Sequence, residues 1–164
     1  MNYATVQDMV DRYGEPEMIQ LTDPDIMAVQ APKAERALAD AQAFADGFVG
    51  RVYGLPLAGC SKPAPVPGNP GAVEHVAPPQ LTRVVCDVAR YYLYSDLAPE
   101  HEVYLRYKAA ERELGQIAEG KVVLSCPWGG VPGALVAGDA PGDAEVFFGF
   151  SPRSITDDSM RGYA

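Results

Sequence analysis

The chain has two histidines, and each sits beside a glutamate: Glu74 precedes His75, and Glu102 follows His101. Such a pair can relay a proton. His101-Glu102 also begins like the helical HExxH motif, in which two histidines one turn apart hold zinc while the glutamate acts as base. The motif is not completed, because Val103-Tyr104-Leu105 follows and brings no second histidine. Neither histidine has a serine or cysteine near it that would make a nucleophile–base pair, and His75 reads as a solvated loop residue. Asp23 and Asp25 offer carboxylates at the spacing that opens a calcium loop. Such a loop also needs a central glycine and a closing glutamate. Here Gln30, Ala31 and Pro32 follow instead. No phosphate-binding glycine loop, dinucleotide fingerprint, nucleophile elbow or CxxC pair is present. The residue types therefore point away from an enzyme, with no catalytic residue, no cofactor and no metal expected.

Cys60, Cys86 and Cys126 are the only cysteines, an odd number without paired spacing. That pattern argues against a disulfide framework and against a zinc site. Cys86 falls in a helical pattern and reads as a small buried hydrophobe.

The elements that carry these residues follow from periodicity. Leu81, Val84, Val85, Val88 and Tyr92 recur on one helical face, as do Val103, Tyr107, Ala110, Leu114 and Ile117. Ala98-Pro99 separates the two runs, so Leu81 to Glu119 reads as two antiparallel helices joined by a short proline hinge. This hairpin is the expected core. Tyr91, Tyr92, Tyr94, Tyr104 and Tyr107 lie on it. They can pack the hairpin and reach water at its edge, or face a neighbouring subunit.

Thr5 to Tyr13 reads as a short helix with Thr5 as N-cap and Val6, Met9, Val10 and Tyr13 on its apolar face; Gly14 stops it. Pro16 opens a second short turn that Thr22-Asp23-Pro24-Asp25 breaks. Pro32 starts a long alanine-rich helix carried to Tyr53. Leu55 to Pro79 is dense in proline and glycine, keeps no hydrophobic period, and reads as a structureless loop that orders against other chains. After Gly120, Lys121-Val122-Val123-Leu124 reads as an extended exit strand. Trp128 can plug the core or dock on a partner.

The net charge is −9, from 13 basic and 22 acidic side chains. This balance argues against gripping nucleic acid through its phosphates, and fits a surface that nucleic acid passes without sticking. No apolar run is long enough to span a membrane. The N-terminus has neither the basic residues nor the apolar block of a signal peptide, so the chain is expected in the cytoplasm that makes it.

The expected fold is mainly α: a small helical bundle built on the antiparallel hairpin, with the long Pro-rich loop at 55–79. An extended C-terminal arm, with room for short β-strands, completes it. The domain spans residues 1–128 and the arm 129–164. In the arm, Phe147, Phe148 and Phe150 form a dense aromatic patch, followed by Arg153, Met160 and Tyr163. Aromatic and arginine anchors of this kind dominate interface energies, so these six residues are the candidate partner-binding site. The alternative is that the patch folds back on its own domain.

Several segments together resemble the small Mu-like phage and prophage head–tail connector family. They are Tyr3 through Glu15, Ile19-Gln20-Leu21-Thr22-Asp23, Asp87 through Tyr94, Arg106-Tyr107-Lys108-Ala109-Ala110 and Leu114 through Lys121, with a weaker echo at Arg153 and Ser159 to Tyr163. The resemblance implies a virion structural protein, made in the host cytoplasm and built into the head–tail junction as an adaptor or head-completion subunit. Its partners would be further copies of itself in a ring commonly of twelve, the portal protein, and a tail or neck protein. DNA would pass through the channel without specific binding, and no membrane would be involved. A tail-completion or stopper protein at the neck, or another helical interaction module, is the alternative. The long proline loop and glycine-rich tail depart from the family's shorter pattern.

If the arm is a docking segment, deleting Glu145 to Ala164 leaves the helical body folded and soluble. The same deletion yields heads without attached tails. Normal numbers of infectious tailed particles would show that the arm does not dock, and a truncated protein that fails to fold would assign the patch to the subunit's own core.

Overall fold

The computed structural model describes residues 1–94 and 97–136. Among these residues the order is α1 (Val6–Tyr13), α2 (Glu15–Thr22), α3 (Ala31–Val49), β1 (Cys60–Pro63), β2 (Val73–Val76), α4 (Pro79–Leu93) and α5 (Glu102–Ala118). The fold is a small, mainly α bundle with one two-stranded antiparallel sheet.

Local sequence sets the helix ends. The Thr5 hydroxyl accepts the Asp8 N–H while the Asp8 carboxylate accepts the Thr5 N–H, a reciprocal cap at the start of α1. Gly14, at φ +87°, turns the chain straight into α2, whose first turn holds Pro16. His101 caps α5, its Nδ1 accepting the Val103 N–H. Its imidazole therefore serves a helix terminus. α3 stops at Val49, short of the expected Tyr53, because the chain tightens into turns at Gly50 to Val52.

α4 is the centre of the bundle, packed against α1, α3 and α5. Leu81, Val84, Cys86, Val88 and Ala89 have no exposed surface. α3 packs on α4 and buries Ala34, Ala37, Ala41 and Ala45, short side chains of the kind that allow close helix approach. The α4–α5 hairpin is antiparallel as expected. Gln80 and Arg83 near the start of α4 reach Glu113 near the end of α5, and Tyr91 near the end of α4 stacks on Tyr107 near the start of α5. Tyr92 does not share the buried face. In the last turn Leu93 takes the inward position, and Tyr92 is 39% exposed.

Outside the helices, three sequence expectations need correction. The 55–79 stretch is not structureless. β1 and β2 pair antiparallel from Cys60 opposite Val76 to Pro63 opposite Val73, and the Val66–Gly71 tip turns on hydrogen bonds between Val66 and Asn69. Strand pairing satisfies the backbone there without a hydrophobic period, since the strands are mostly exposed and pack chiefly on each other. The short strands therefore lie in this loop and not in the described part of the arm. Cys60 and Cys126 form a disulfide, with Cα atoms 5.3 Å apart across a sequence separation of 66. Residues 121–124 form no strand; the Leu124 N–H instead donates to the buried Tyr53 hydroxyl at 2.9 Å. Of the two alternatives for Trp128, the exposure of 43% excludes the core plug.

The chain after α5 returns along the segment that follows α3. Gly59 N–H donates to the Pro132 carbonyl, Gly54 N–H to Ala134, and Val136 N–H to Val52, each at 2.8 Å. Gly59 is required here: its φ is +89°, and a Cβ would lie 2.9 Å from the Val76 carbonyl oxygen.

Val88 and Leu114 are both fully buried on facing helices. An aspartate at either place is an unpaired buried charge costing several kcal/mol, against a total stability of about 5–15 kcal/mol. Val88→Asp and Leu114→Asp should each abolish the cooperative helical melt seen by circular dichroism; a normal melt in both would refute this core.

Candidate interaction surface

The hairpin tyrosines gather into one cluster. The Tyr91 and Tyr107 rings are stacked, with centroids 4.2 Å apart and planes 15° from parallel. Tyr104 and Tyr92 flank them at centroid distances of 6.0 to 6.4 Å. The cluster continues onto α3, where Phe44 lies 6.2 Å from Tyr107 and meets Phe48 edge-to-face at 5.1 Å. Spacing on each helix explains the assembly: Tyr104 and Tyr107 lie one turn apart on α5, as do Phe44 and Phe48 on α3. Lys108 stands over Tyr107 at 5.5 Å while its ammonium donates to Glu111 at 2.7 Å. Partial burial, and then neighbouring hydroxyls and acidic groups, push the Tyr92 and Tyr107 phenols above their ordinary range. These rings are half-buried or exposed, so they reach water at the bundle's edge as an aromatic strip across three helices.

A polar network locks α4 to its neighbours. Arg83 donates to Glu113 on α5 and pairs with Asp87 at 3.5 Å. Asp87 is buried and accepts the Tyr13 hydroxyl of α1 at 2.9 Å. Arg90 donates to Glu17 of α2 at 2.7 Å, and its guanidinium lies 4.5 Å from the Tyr13 ring centroid. Among the described residues, no buried side-chain polar atom lacks a partner. Burial, the negative Asp87 and the hydrogen bond to it push the Tyr13 phenol far above its ordinary range. Burial and Asp46 do the same to Tyr3. Burial also pushes the Cys86 thiol up to about 12, which keeps it an unreactive core residue.

An open groove of about 660 Å³ runs between residues 2–7 and α3. Its lining mixes Gln7, Gln42, Glu35 and Asp46 with Leu38 and alanines. The one hydroxyl on that lining, Thr5, is held in the helix cap, and Asp46 accepts the Tyr3 hydroxyl.

Apolar side chains stand exposed elsewhere. Ile26 and Met27 project from the α2–α3 connection at 58% and 79% exposure, with Met27 at φ +57°. Val123, Trp128, Val131, Leu135 and Val136 are exposed along the return segment after α5. Scattered apolar residues are ordinary on a surface, but a run of them in one short segment marks a place for contact. Sequence reading found the tyrosines and Trp128. It missed Ile26 and Met27 within the turn signals, and it missed the two phenylalanines' link to the hairpin, because that contact joins distant segments. His75 lies exposed on β2, far in the chain from the capping His101. Asp23 Oδ1 accepts the Asp25 N–H in a local turn. The expected anchors Phe147, Phe148, Phe150, Arg153, Met160 and Tyr163 lie outside the described residues.

Comparison with known proteins finds that residues 3–132 match the model of the family described as Bacteriophage Mu, Gp36. The chain is also 35% identical over 123 residues to "Gene product J" of Escherichia phage Mu, covering 74% of this chain and 74% of that relative.

The Tyr13–Asp87 pair yields a pH dependence. Tyr13 binds its proton more tightly in the folded state than when unfolded, so its contribution to stability is fully present below about pH 10. Above that, the unfolded chain releases the phenolic proton first and stability falls as pH rises toward the folded value. Urea unfolding between pH 8 and 11 should show this decline, and Tyr13→Phe should make it shallower, the raised phenols of Tyr3, Tyr92 and Tyr107 sustaining the remainder. An unchanged alkaline slope in the variant would remove Tyr13 as its source.

Proposed function

Because the chain belongs to the bacteriophage Mu Gp36 family, we propose that it is a virion structural protein at the head–tail junction. In this reading it is an adaptor subunit that rings the vertex below the portal and continues the DNA channel toward the tail. The observation that carries the reading is a small close-packed bundle bearing apolar elements that its core leaves exposed or half-buried. These are Ile26 and Met27 at one connection, the aromatic strip at the hairpin edge, and the run from Val123 to Val136. A subunit held in a ring must meet neighbours on more than one side, and separate contact elements on a rigid body serve that need. Further copies of this chain, the portal and a tail or neck protein are the partners that fit.

The net charge of −9 supports the same reading. DNA sliding through a channel is held back by every phosphate contact it makes, and an excess of carboxylates keeps such contacts few. The role asks for no catalytic group. The engaged hydroxyl and carboxylate of the groove, and the capping role of His101, accord with a purely structural part.

Quantitative mass spectrometry of purified virions tests the proposal. The chain should be present at about the copy number of the portal protein. Its absence from virions, with the portal present, would overturn the reading.

A further inference from the structure

The base of the β1–β2 hairpin and the return segment after α5 are joined along a seam. Tyr53 accepts the Leu124 N–H, Gly59 donates to Pro132, Gly54 to Ala134, and Val136 to Val52. Within that seam Cys60, with no exposed surface, is bonded to Cys126, which is 8% exposed. Beyond Cys60 the hairpin's strands lie mostly exposed and pack chiefly on each other. Beyond Cys126 the chain carries the exposed Trp128 and enters the arm that begins at residue 129, with Val131, Leu135 and Val136 exposed on its first part. The bond therefore ties two projecting elements, the hairpin and the root of the arm, at one point.

A phage protein is made in a bacterial cytoplasm, where thiols are kept reduced, whereas the released particle meets an oxidising medium. We propose that Cys60–Cys126 is a redox-conditional staple: a dithiol while the subunit is made and assembled, and a disulfide that fixes the hairpin to the arm root once the particle leaves the cell. The timing rests on the virion reading above; the exchange itself does not.

The chemistry needs an oxidant of the small-molecule disulfide class. The Cys126 thiolate, the less enclosed of the two, attacks one sulfur of that disulfide. A new S–S bond forms, the small disulfide's bond breaks, and one small thiolate leaves. The Cys60 thiolate then attacks the Cys126 sulfur, and the second small thiolate leaves with the electron pair. The two cysteine protons pass to solvent, the pair is oxidised by two electrons, and the small disulfide is reduced to two thiols. Cys86, buried within α4, takes no part and serves as an internal standard.

Oxidised and reduced glutathione are the probes. After equilibration with each, the full chain is alkylated in denaturant and weighed. Three alkylated cysteines are expected from the reduced sample and one from the oxidised. Cleavage at the 66–71 tip by a dilute protease should be about tenfold or more faster in the reduced form, since a cross-link of this kind suppresses opening. Cys60→Ser with Cys126→Ser should show the fast rate in both buffers, with circular dichroism confirming its helices. Should that variant fail to fold, the wild-type comparison in the two buffers still decides. Equal cleavage rates and equal thiol counts in the two buffers would overturn the staple. In the phage, rapid acid trapping and alkylation should find Cys60 and Cys126 as thiols in intracellular particles and bonded in released ones. A bond already present inside the cell, or thiols persisting in released virions, would also overturn it. A chain absent from virions that still exchanges in glutathione removes the connector reading and supports the staple; a chain present there with three thiols does the reverse.

Discussion

The packing of α4 into the middle of the bundle is the constraint on which the other features depend. Helices approach closely where side chains are small, and α3, which packs on α4, buries Ala34, Ala37, Ala41 and Ala45. With α3 on one side, α5 on another and α1 on a third, nearly the whole of α4 from Leu81 to Ala89 is enclosed. Enclosure leaves Asp87 no solvent-facing place, whereas Arg83 still reaches water. Asp87 is drawn inside, and a buried carboxylate without partners would be strongly destabilising. Tyr13 and Arg83 meet that requirement, and they come from α1 and from one turn earlier on α4 itself. Arg83 in turn engages Glu113, which brings α5 into the same network. Close helix packing and the polar lock are thus two consequences of one geometry.

That geometry also explains where the aromatic strip sits. α4 outlasts its cover at the C-terminal end, where Leu93 turns inward and Tyr91 and Tyr92 do not. The start of α5 lies beside them because the hairpin is antiparallel, so Tyr104 and Tyr107 join the same edge. Phe44 and Phe48 reach this edge from α3. The strip closes the bundle's end with rings that still offer faces and hydroxyls to water, a surface that can seal against another protein at small entropic cost.

Much of the helical body was legible in the sequence. The apolar periods of α4 and α5 carry a strong signal because burial repeats every turn. The Thr5 cap, Gly14 and Pro16 are local chemistry that the chain writes at the place where it acts. The 55–79 stretch was misread for the converse reason. Its strands are four residues each and mostly exposed, so no buried alternation marks them, and its order comes from cross-strand hydrogen bonds. The Cys60–Cys126 bond was opaque as well. Cysteine spacing announces a site only when its ligands are close in sequence, and 66 residues separate these two. The candidate anchors of the arm were legible by composition alone, as aromatic and arginine types, which says nothing about what they meet.

What could be read and what could not divide along a physical line that bears on the protein's role. Features encoded locally build a rigid body: caps, periods and a close-packed helical core. Features that depend on distant segments meeting build the rest: the seam, which adds Tyr53, Leu57 and Leu124 to the core, and the hairpin and arm root that lead out from it. A rigid body fixes the angles between contact surfaces, and a closed ring demands fixed angles, because a small error per subunit accumulates around the circle. Projecting elements must instead adapt to a neighbour whose surface they meet late. The hairpin's strands are exposed and pack chiefly on each other, so their ordering costs little of the core's stability. In the proposed ring, a subunit divided this way would hold the geometry constant while its hairpin adjusts. The division matches the connector role proposed for it.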